Sequence, residues 1–127
     1  MSTGWSMDEL SALESADELE IATPRPDGTV GRYVPIWVVC SSRHVYVRTW
    51  HRRDTGWFGR AARTGDARIR FGEHEIDVIV DDVGSDVDLR PAVDEAYRTK
   101  YGRYGSATVD RMVGDDAGRT TLRLTPR

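Results

Sequence analysis

Two apolar segments joined by three polar residues constrain the fold of this chain more than any other feature. The first, 34–40, is apolar at nearly every position, which is typical of a strand buried on both faces. A short polar turn, 41–43, follows it. The second segment, 44–50, alternates small β-branched residues with larger side chains, among them Arg48 and Trp50. The pattern predicts a central β-hairpin whose return strand is part core and part binding surface.

The remaining segments predict further strands and helices around this hairpin. Alternating apolar residues indicate strands at 19–23, 67–71, 74–83 and 120–125, and the first hairpin strand extends back to residue 29. Ser6 and Glu9 form a capping-box pattern at a first helix, and Asp54–Thr55 predicts the N-cap of a second. Asp86 or Asp88 is expected to cap a third, with Pro91 in its first turn. We expect a mainly β (α+β) fold, a six-stranded antiparallel barrel with two to three flanking helices.

The length of 127 residues predicts one domain, 1–127, with residues 1–16 as a helical extension at its N-terminus. No apolar run approaches the roughly 20 residues that span a bilayer, so we expect no membrane segment. The opening residues MSTGWSMDEL lack the pattern of a secretory signal. A cytoplasmic protein is therefore expected.

Positive charge is concentrated in one part of a chain whose formal net charge is -3. Residues 43–70 contain eight arginines and two aspartates, so the rest of the chain is acidic. This asymmetry favours an anion bound at one place. The alternative is that arginine simply replaces lysine throughout, since Lys100 is the only lysine. The arginines of this segment are Arg43, Arg48, Arg52, Arg53, Arg60, Arg63, Arg68 and Arg70.

Other chemistries have little support in the sequence. His44, His51 and His74 match no zinc-ligand spacing, so no metal site is predicted. The single cysteine, Cys40, lies within a predicted strand and is interpreted as a small buried hydrophobe. Nucleophile elbows, Walker A loops and dinucleotide fingerprints are absent, and the paired aspartates at 81–82 and 115–116 do not suit an acid/base pair. No catalytic residue is identified.

The order of several short motifs resembles the split-barrel flavin-binding superfamily, which includes pyridoxamine phosphate oxidase-like proteins and deazaflavin-dependent nitroreductases. The segment from Thr23 to Trp37 is similar to the Thr, Gly-rich turn, Arg and Pro of the deazaflavin branch, with Pro26 and Asp27 where that branch has Lys-Ser. The succession of DGT, PIWVV, VYVRTW, GW and EAYRTKYG is closer still to a bacterial domain family of unknown function. The resemblance covers about residues 18–126 and implies a split β-barrel that binds FMN or a deazaflavin and forms a homodimer.

A flavin-type cofactor needs donors for its phosphate and an apolar slot for its ring. Arginine side chains, one hydroxyl and the start of the second helix are candidates for the phosphate, and tryptophans for the ring. The alternatives are that these arginines are simply solvated and that the tryptophans pack the core. The candidate cofactor-binding residues are Trp37, Arg48, Thr49, Arg52, Arg53, Trp57 and Arg60.

Three functions follow as hypotheses. The first is an oxidoreductase that uses FMN or a deazaflavin to reduce a small organic substrate. The second is a ligand-binding or interaction module of the same fold that has lost the cofactor and is not an enzyme. The third, nucleic-acid binding through the arginine segment, is disfavoured by the acidic net charge and the lack of a recognition motif.

Overall fold

The computed structural model describes residues 4–49, 56–113 and 115–127. Its strands are β1 (Leu19–Ala22), β2 (Val34–Ile36), β3 (Val39–Ser41), β4 (His44–Val47), β5 (Asp66–Phe71), β6 (His74–Asp82) and β7 (Leu122–Pro126). Its helices are α1 (Met7–Ser15), α2 (Gly56–Thr64), α3 (Arg90–Tyr101), α4 (Ser106–Asp110) and α5 (Asp115–Gly118), with a 3₁₀ turn at Gly102–Tyr104.

The seven strands form one antiparallel sheet in the order β2-β1-β5-β6-β7-β4-β3. If the sheet were flat, its edges would lie about 29 Å apart, since neighbouring strands are about 4.8 Å apart. Only Trp37 and Val38 separate β2 from β3, however, and this link spans at most about 11 Å. The two edge strands must therefore meet, and the sheet curls into a barrel.

The first and last strands of an alternating antiparallel sheet of seven run in the same direction. The segment from β2 to β3 therefore behaves as one long strand, which pairs with β1 in its first part and with β4 in its last part. Counting it once gives the six strands that the sequence predicts, so the split-barrel prediction is confirmed. The extension of this strand back to residue 29 is not found, because β2 begins at Val34.

The barrel interior is filled by apolar side chains from the inner face of the curled sheet. Ile21, Ile69 and Leu122 are fully buried there, as expected from the alternation of each strand. Two helices contribute to the same cluster: α1 through Leu10 and Leu13, and α2 through Phe58 and Ala61. Helix α1 packs on β3, whereas α2 contacts β5 and β6, so the interior is covered by different helices on different sides.

A second buried cluster lies outside the barrel, between α3 and the outer face of β3 and β4. Val39 and Tyr46 contribute from the strands, and Val93, Tyr97 and Tyr101 from one face of α3. The alternation predicted for the hairpin is thereby confirmed, because Val45 and Val47 point into the barrel while Tyr46 points outward.

Helix caps were predicted with mixed success. The Ser6–Glu9 capping box is confirmed, with both reciprocal hydrogen bonds present at the start of α1. The prediction that Asp86 or Asp88 caps α3 is wrong: Leu89 occupies the N-cap position without a side-chain bond, and the Asp86 carboxylate accepts the Asp88 N–H at 3.1 Å. The predicted cap at residues 54–55 lies outside the described residues.

Candidate functional site

Several strand ends meet at one end of the barrel, which we call the candidate rim. By the strand register, β1, β4 and β6 finish there, and β5 and β7 begin there. Main-chain bonds join neighbours around it: Val80 N–H donates to Gly65 O at 2.9 Å, and Val83 N–H donates to Thr121 O at 3.0 Å. The candidate rim consists of Thr23, Arg48, Thr49, Gly65, Val83, Gly84, Thr120 and Thr121.

Arg48 lies in the protein interior at this rim and is only 1% exposed. Its Nη1 donates to Asp94 Oδ1 at 2.5 Å and to the Met112 carbonyl at 2.8 Å, and its Nε donates to Thr121 Oγ1 at 2.9 Å. Breaking a buried ion pair by removing one partner costs about 3–5 kcal/mol. A phosphate could therefore bind Arg48 only in competition with Asp94, and direct phosphate binding by Arg48 stays a prediction.

Two further polar atoms are buried beside this ion pair. Among the described residues, Arg48 Nη2 and the Tyr97 hydroxyl have no hydrogen-bond partner. The guanidinium carbon lies 5.4 Å from the centre of the Tyr97 ring, within the range of a cation–π contact. Burial raises the pKa of Tyr97, so its hydroxyl remains protonated. This arrangement resembles a structural polar cluster beneath α3 more than an exposed anion site.

Thr49 is held through its main chain at the same rim. Its N–H donates to Thr120 Oγ1 at 3.0 Å, and its carbonyl oxygen lies 2.7 Å from the same hydroxyl. The half-buried Thr49 is therefore held through both its main-chain N–H and its carbonyl oxygen.

Trp37 lies away from the rim arginine. Its ring stacks on Tyr101, with centroids 3.9 Å apart and planes at 2°, and Tyr104 lies 5.7 Å away. Tyr101 and Asp94 are seven residues apart on α3, which corresponds to about 10 Å along the helix axis. The structure therefore does not bring Trp37 and Arg48 together. Trp37 packs against aromatic rings of the protein, as the alternative that the tryptophans pack the core predicts.

Helix α2 contributes the other candidate residues on the described part of the chain. Arg60 is exposed, and its Nε donates to Thr23 Oγ1 at 2.9 Å, which ties α2 to the end of β1. Trp57 is half-buried, packs against the barrel cluster and meets Phe58 edge-on at 5.8 Å. Among the described candidates, Arg60 combines a place beside the candidate rim with exposure to solvent.

The segment 50–55, which contains the candidates Arg52 and Arg53, lies outside the described residues. So do Trp50 and the predicted helix cap. The segment begins after the anchored Thr49 and ends at the start of α2. The described residues on either side of it are Thr49 and Gly56.

The described arginines of this segment do not all lie at one place. Arg43 lies in the β3–β4 turn, at the opposite end of β4 from Arg48. Arg68 lies on the outer face of the sheet and pairs with Asp77 at 2.7 Å. Arg70 pairs with Glu20 at 3.2 Å and stacks on Tyr33 at 3.6 Å. The sequence therefore overestimates the positive charge at the site, because residues close in sequence can lie on the outer face of a strand, as Arg68 and Arg70 do.

The hairpin 24–30 follows Thr23 and carries a carboxylate. Asp27 Oδ1 accepts hydrogen bonds from the Thr29 hydroxyl at 2.6 Å and the Thr29 N–H at 3.0 Å. The hydroxyl bond and then the main-chain bond lower the pKa of Asp27, so the carboxylate is ionised at neutral pH. The hairpin therefore carries a carboxylate next to Arg25, whose Nη1 donates to the Thr29 hydroxyl at 3.4 Å.

Sequence reasoning missed Asp94 and Thr120, which fix the rim residues. Asp94 lies 46 residues from Arg48, and Thr120 lies 71 residues from Thr49. Nothing local in the sequence marks either pair. Among the described residues, no group of three or more metal-binding side chains is found, and no helix is long and apolar enough to cross a membrane.

Comparison with protein-family models gives a match over most of the chain. A family model described as "Uncharacterized protein conserved in bacteria (DUF2255)" matches residues 9–124. No curated protein sequence matches the chain significantly.

Three solved structures illustrate the structural similarity. The heme storage protein HutZ from Vibrio cholerae superimposes with a TM-score of 0.61 at 13% identity, covering 100% of this chain and 92% of that one. An FAD-binding protein from Mesorhizobium loti gives 0.55 at 13%, covering 96% and 88%. A protein described as an F420 reductase gives 0.53 at 14%, covering 92% and 91%. At these identities the similarity establishes the fold alone.

Proposed function

We propose that this chain, which belongs to the DUF2255 family of uncharacterised bacterial proteins, binds FMN or a deazaflavin at the candidate rim and uses it to reduce a small organic substrate. The observation that carries the proposal is the contact between exposed Arg60 and Thr23. It brings an arginine on α2 to the barrel end where Thr49 is anchored. Related folds that include an FAD-binding protein and an F420 reductase support the same cofactor class.

The described residues fit the phosphate better than they fit the ring. Arg60 donates to Thr23 through its Nε, so the protein orients the guanidinium group. The side chain is exposed, so its two terminal nitrogens are open to a ligand. An arginine held in this way suits bidentate binding of a phosphate. Arg52 and Arg53 would add donors from the adjoining segment, and Thr49 a hydroxyl. The half-buried Trp57 would supply an apolar surface for the ring.

In this proposal the protein binds and orients the cofactor, and the cofactor supplies the hydride chemistry. No acid or base among the described residues is assigned to the reaction. A homodimer is part of the proposal. Light scattering of the purified protein would measure the oligomeric state, and a monomer at micromolar concentration would contradict this part.

Cofactor binding is tested by titrating the protein with FMN, riboflavin and a deazaflavin while following tryptophan fluorescence. We expect saturable binding of the phosphorylated compounds at micromolar concentration. Arg60→Gln should weaken FMN binding about tenfold, equivalent to about 1.4 kcal/mol, and change riboflavin binding little. Arg63→Gln, on an exposed residue of the same helix, is the matched control and should have no effect. Equal losses for FMN and riboflavin would remove Arg60 from the phosphate site.

The second function, a non-enzymatic module of the same fold, is favoured by one observation. Arg48, a candidate for the phosphate, is fully buried and paired with Asp94, so it adds little positive charge for an anionic cofactor. If the wild-type protein binds neither FMN nor a deazaflavin in the titration, the non-enzymatic function is the better conclusion.

A further inference from the structure

A cavity of about 380 Å³ lies between α1 and the turn that joins β3 to β4. One wall is a single face of α1, since its lining residues recur at the helical spacing of three and four. The other wall is the end of β3 and the turn itself. Because this turn lies at the opposite end of β4 from Arg48, the cavity is separate from the candidate rim. The α1 wall consists of Met7, Leu10, Ser11, Glu14 and Ser15.

Both walls are held in place by α3, so the cavity is preformed. Lys100 Nζ donates to the Leu13 carbonyl of α1 at 2.9 Å and to the Val38 carbonyl, just before β3, at 2.7 Å. The hydroxyl of the next residue, Tyr101, accepts the Val38 N–H at 3.0 Å and donates to the Asp17 carbonyl at 2.7 Å. A site whose walls are already ordered loses less conformational entropy when a ligand binds.

The floor of the cavity is apolar and its edge is polar. Leu10 is buried and Cys40 is half-buried, so both lie at depth. Met7 lines the same cavity and is 66% exposed, although it is a large apolar side chain. Serine hydroxyls of α1 and of the turn complete the edge. An apolar floor with a few polar groups is typical of small-molecule sites, and the volume lies near the lower end of their usual range of about 300–1,000 Å³. The cavity therefore suits a small, partly apolar molecule.

Two side chains of opposite charge line the cavity, one in each wall. Glu14 belongs to α1 and Arg43 to the turn. Burial and then the charge of Glu14 raise the pKa of Cys40 to about 12, so the thiol stays protonated and donates a hydrogen bond to the Glu14 carboxylate. A carboxylate accepts several further hydrogen bonds, and an arginine has several N–H donors. A cation at Glu14 and an anion at Arg43 are therefore both favoured, whereas a molecule with a single charge matches only one wall.

We propose that this cavity is a second binding site, which takes a small zwitterion with an apolar side chain, namely an aliphatic α-amino acid. Its ammonium group pairs with Glu14 and its carboxylate with Arg43, while its side chain covers Leu10 and Cys40. The proposal does not depend on flavin binding, because the cavity and the candidate rim lie at opposite ends of β4.

Titration calorimetry with L-leucine tests the charge pattern. We expect saturable binding with a dissociation constant of about 1 mM, as for a small ligand at a cavity open to solvent. Isoamylamine and isocaproate, which each keep the apolar chain and one of the two charges, should bind at least tenfold more weakly. Failure of leucine to bind at ten times that concentration, or equal binding of leucine and isoamylamine, would overturn the proposal.

Single substitutions test each wall. Glu14→Gln keeps the size of the side chain but removes its charge, and it should weaken leucine binding at least tenfold. Arg43→Gln should weaken leucine binding similarly and leave the binding of isoamylamine unchanged. Asp8→Asn, on an exposed residue of α1 outside the cavity, is the matched control and should change neither. Ser11→Phe places a ring in the cavity from an exposed position and should abolish binding, which keeps the test decisive if Glu14→Gln does not fold. Leucine binding by Ser11→Phe equal to that of wild type would overturn the proposal.

NMR spectroscopy of the labelled protein locates the bound leucine independently of its affinity. Amide chemical shifts of residues 10–15 and 40–43 should change on titration, while those of Thr120 and Thr121 at the candidate rim stay constant. Shift changes confined to the rim would overturn the proposal. Because FMN binding is measured separately, loss of this second site would leave the proposed function unaffected.

Discussion

Gly84 offers a direct test of how tightly the candidate rim is packed. A Cβ built on Gly84 would lie 1.8 Å from the main-chain oxygen of Arg119 and 2.5 Å from its carbonyl carbon. Because these atoms belong to the backbone, rotation of a side chain cannot relieve the clash. Gly84→Ala must therefore displace the chain that leads into Thr120 and Thr121, which bind Thr49 and Arg48.

We expect Gly84→Ala to lower the free energy of unfolding by about 3 kcal/mol, the upper part of the usual range for overpacking. For a domain of this size the midpoint of thermal unfolding should fall by about 10 °C. Gly72→Ala is the control. Gly72 has a φ of +56° but nothing within 4 Å of its Cβ position, so only backbone strain of about 1 kcal/mol is expected. Urea unfolding followed by circular dichroism measures both, and a loss below about 1 kcal/mol for Gly84→Ala would refute the reasoning.

Three further predictions concern single contacts. Thr120→Val should cost about 1–3 kcal/mol in urea unfolding, because it leaves the part-buried Thr49 N–H unpaired, whereas Thr120→Ser should cost less. Burial raises the pKa of Cys40 to about 12, so iodoacetamide at pH 8 should label the native protein far more slowly than the urea-unfolded protein; equal rates would contradict this. Asp27 has a folded pKa lowered below 3.8 by its bonds to Thr29, so its stabilising effect exists above that value and is lost as pH falls through the folded pKa. Asp27→Asn should therefore unfold at a lower temperature than wild type at pH 7, and this difference should shrink as pH falls below 3.8; a difference that stays constant would contradict the assignment.

The strands were predictable because their alternation is set by the chain itself. Ile69 and Phe71 point inward and Arg68 and Arg70 outward, as the period of two requires. The closure of the barrel was only partly predictable. One long apolar segment was expected, but its division at Trp37 follows from pairing with two different strands, which depends on the curvature of the whole sheet.

The site was less predictable than the fold, and Arg48 shows why. The sequence places Arg48 in a block of arginines, which favours an anion site. In the structure its nearest charge is Asp94, contributed by a helix 46 residues later. Arg60 was predicted in the same block and does lie exposed at the rim. Arg48 is buried because α3 packs over it and supplies Asp94, whereas Arg60 stays exposed on α2.

The filled interior of the barrel limits where a ligand of flavin size can bind. A closed barrel of eight strands is just wide enough to be filled by its own side chains, and this barrel has fewer strands, with Ile21, Ile69 and Leu122 fully buried inside it. A tricyclic ring therefore has no place within the barrel and must lie against its outside or at its end. In the proposed function the exposed Arg60 of α2 holds the phosphate, so the ring should lie against α2 and its half-buried Trp57. A crystal structure with FMN that placed the ring inside the barrel, or against the α1 side of β3, would contradict this conclusion.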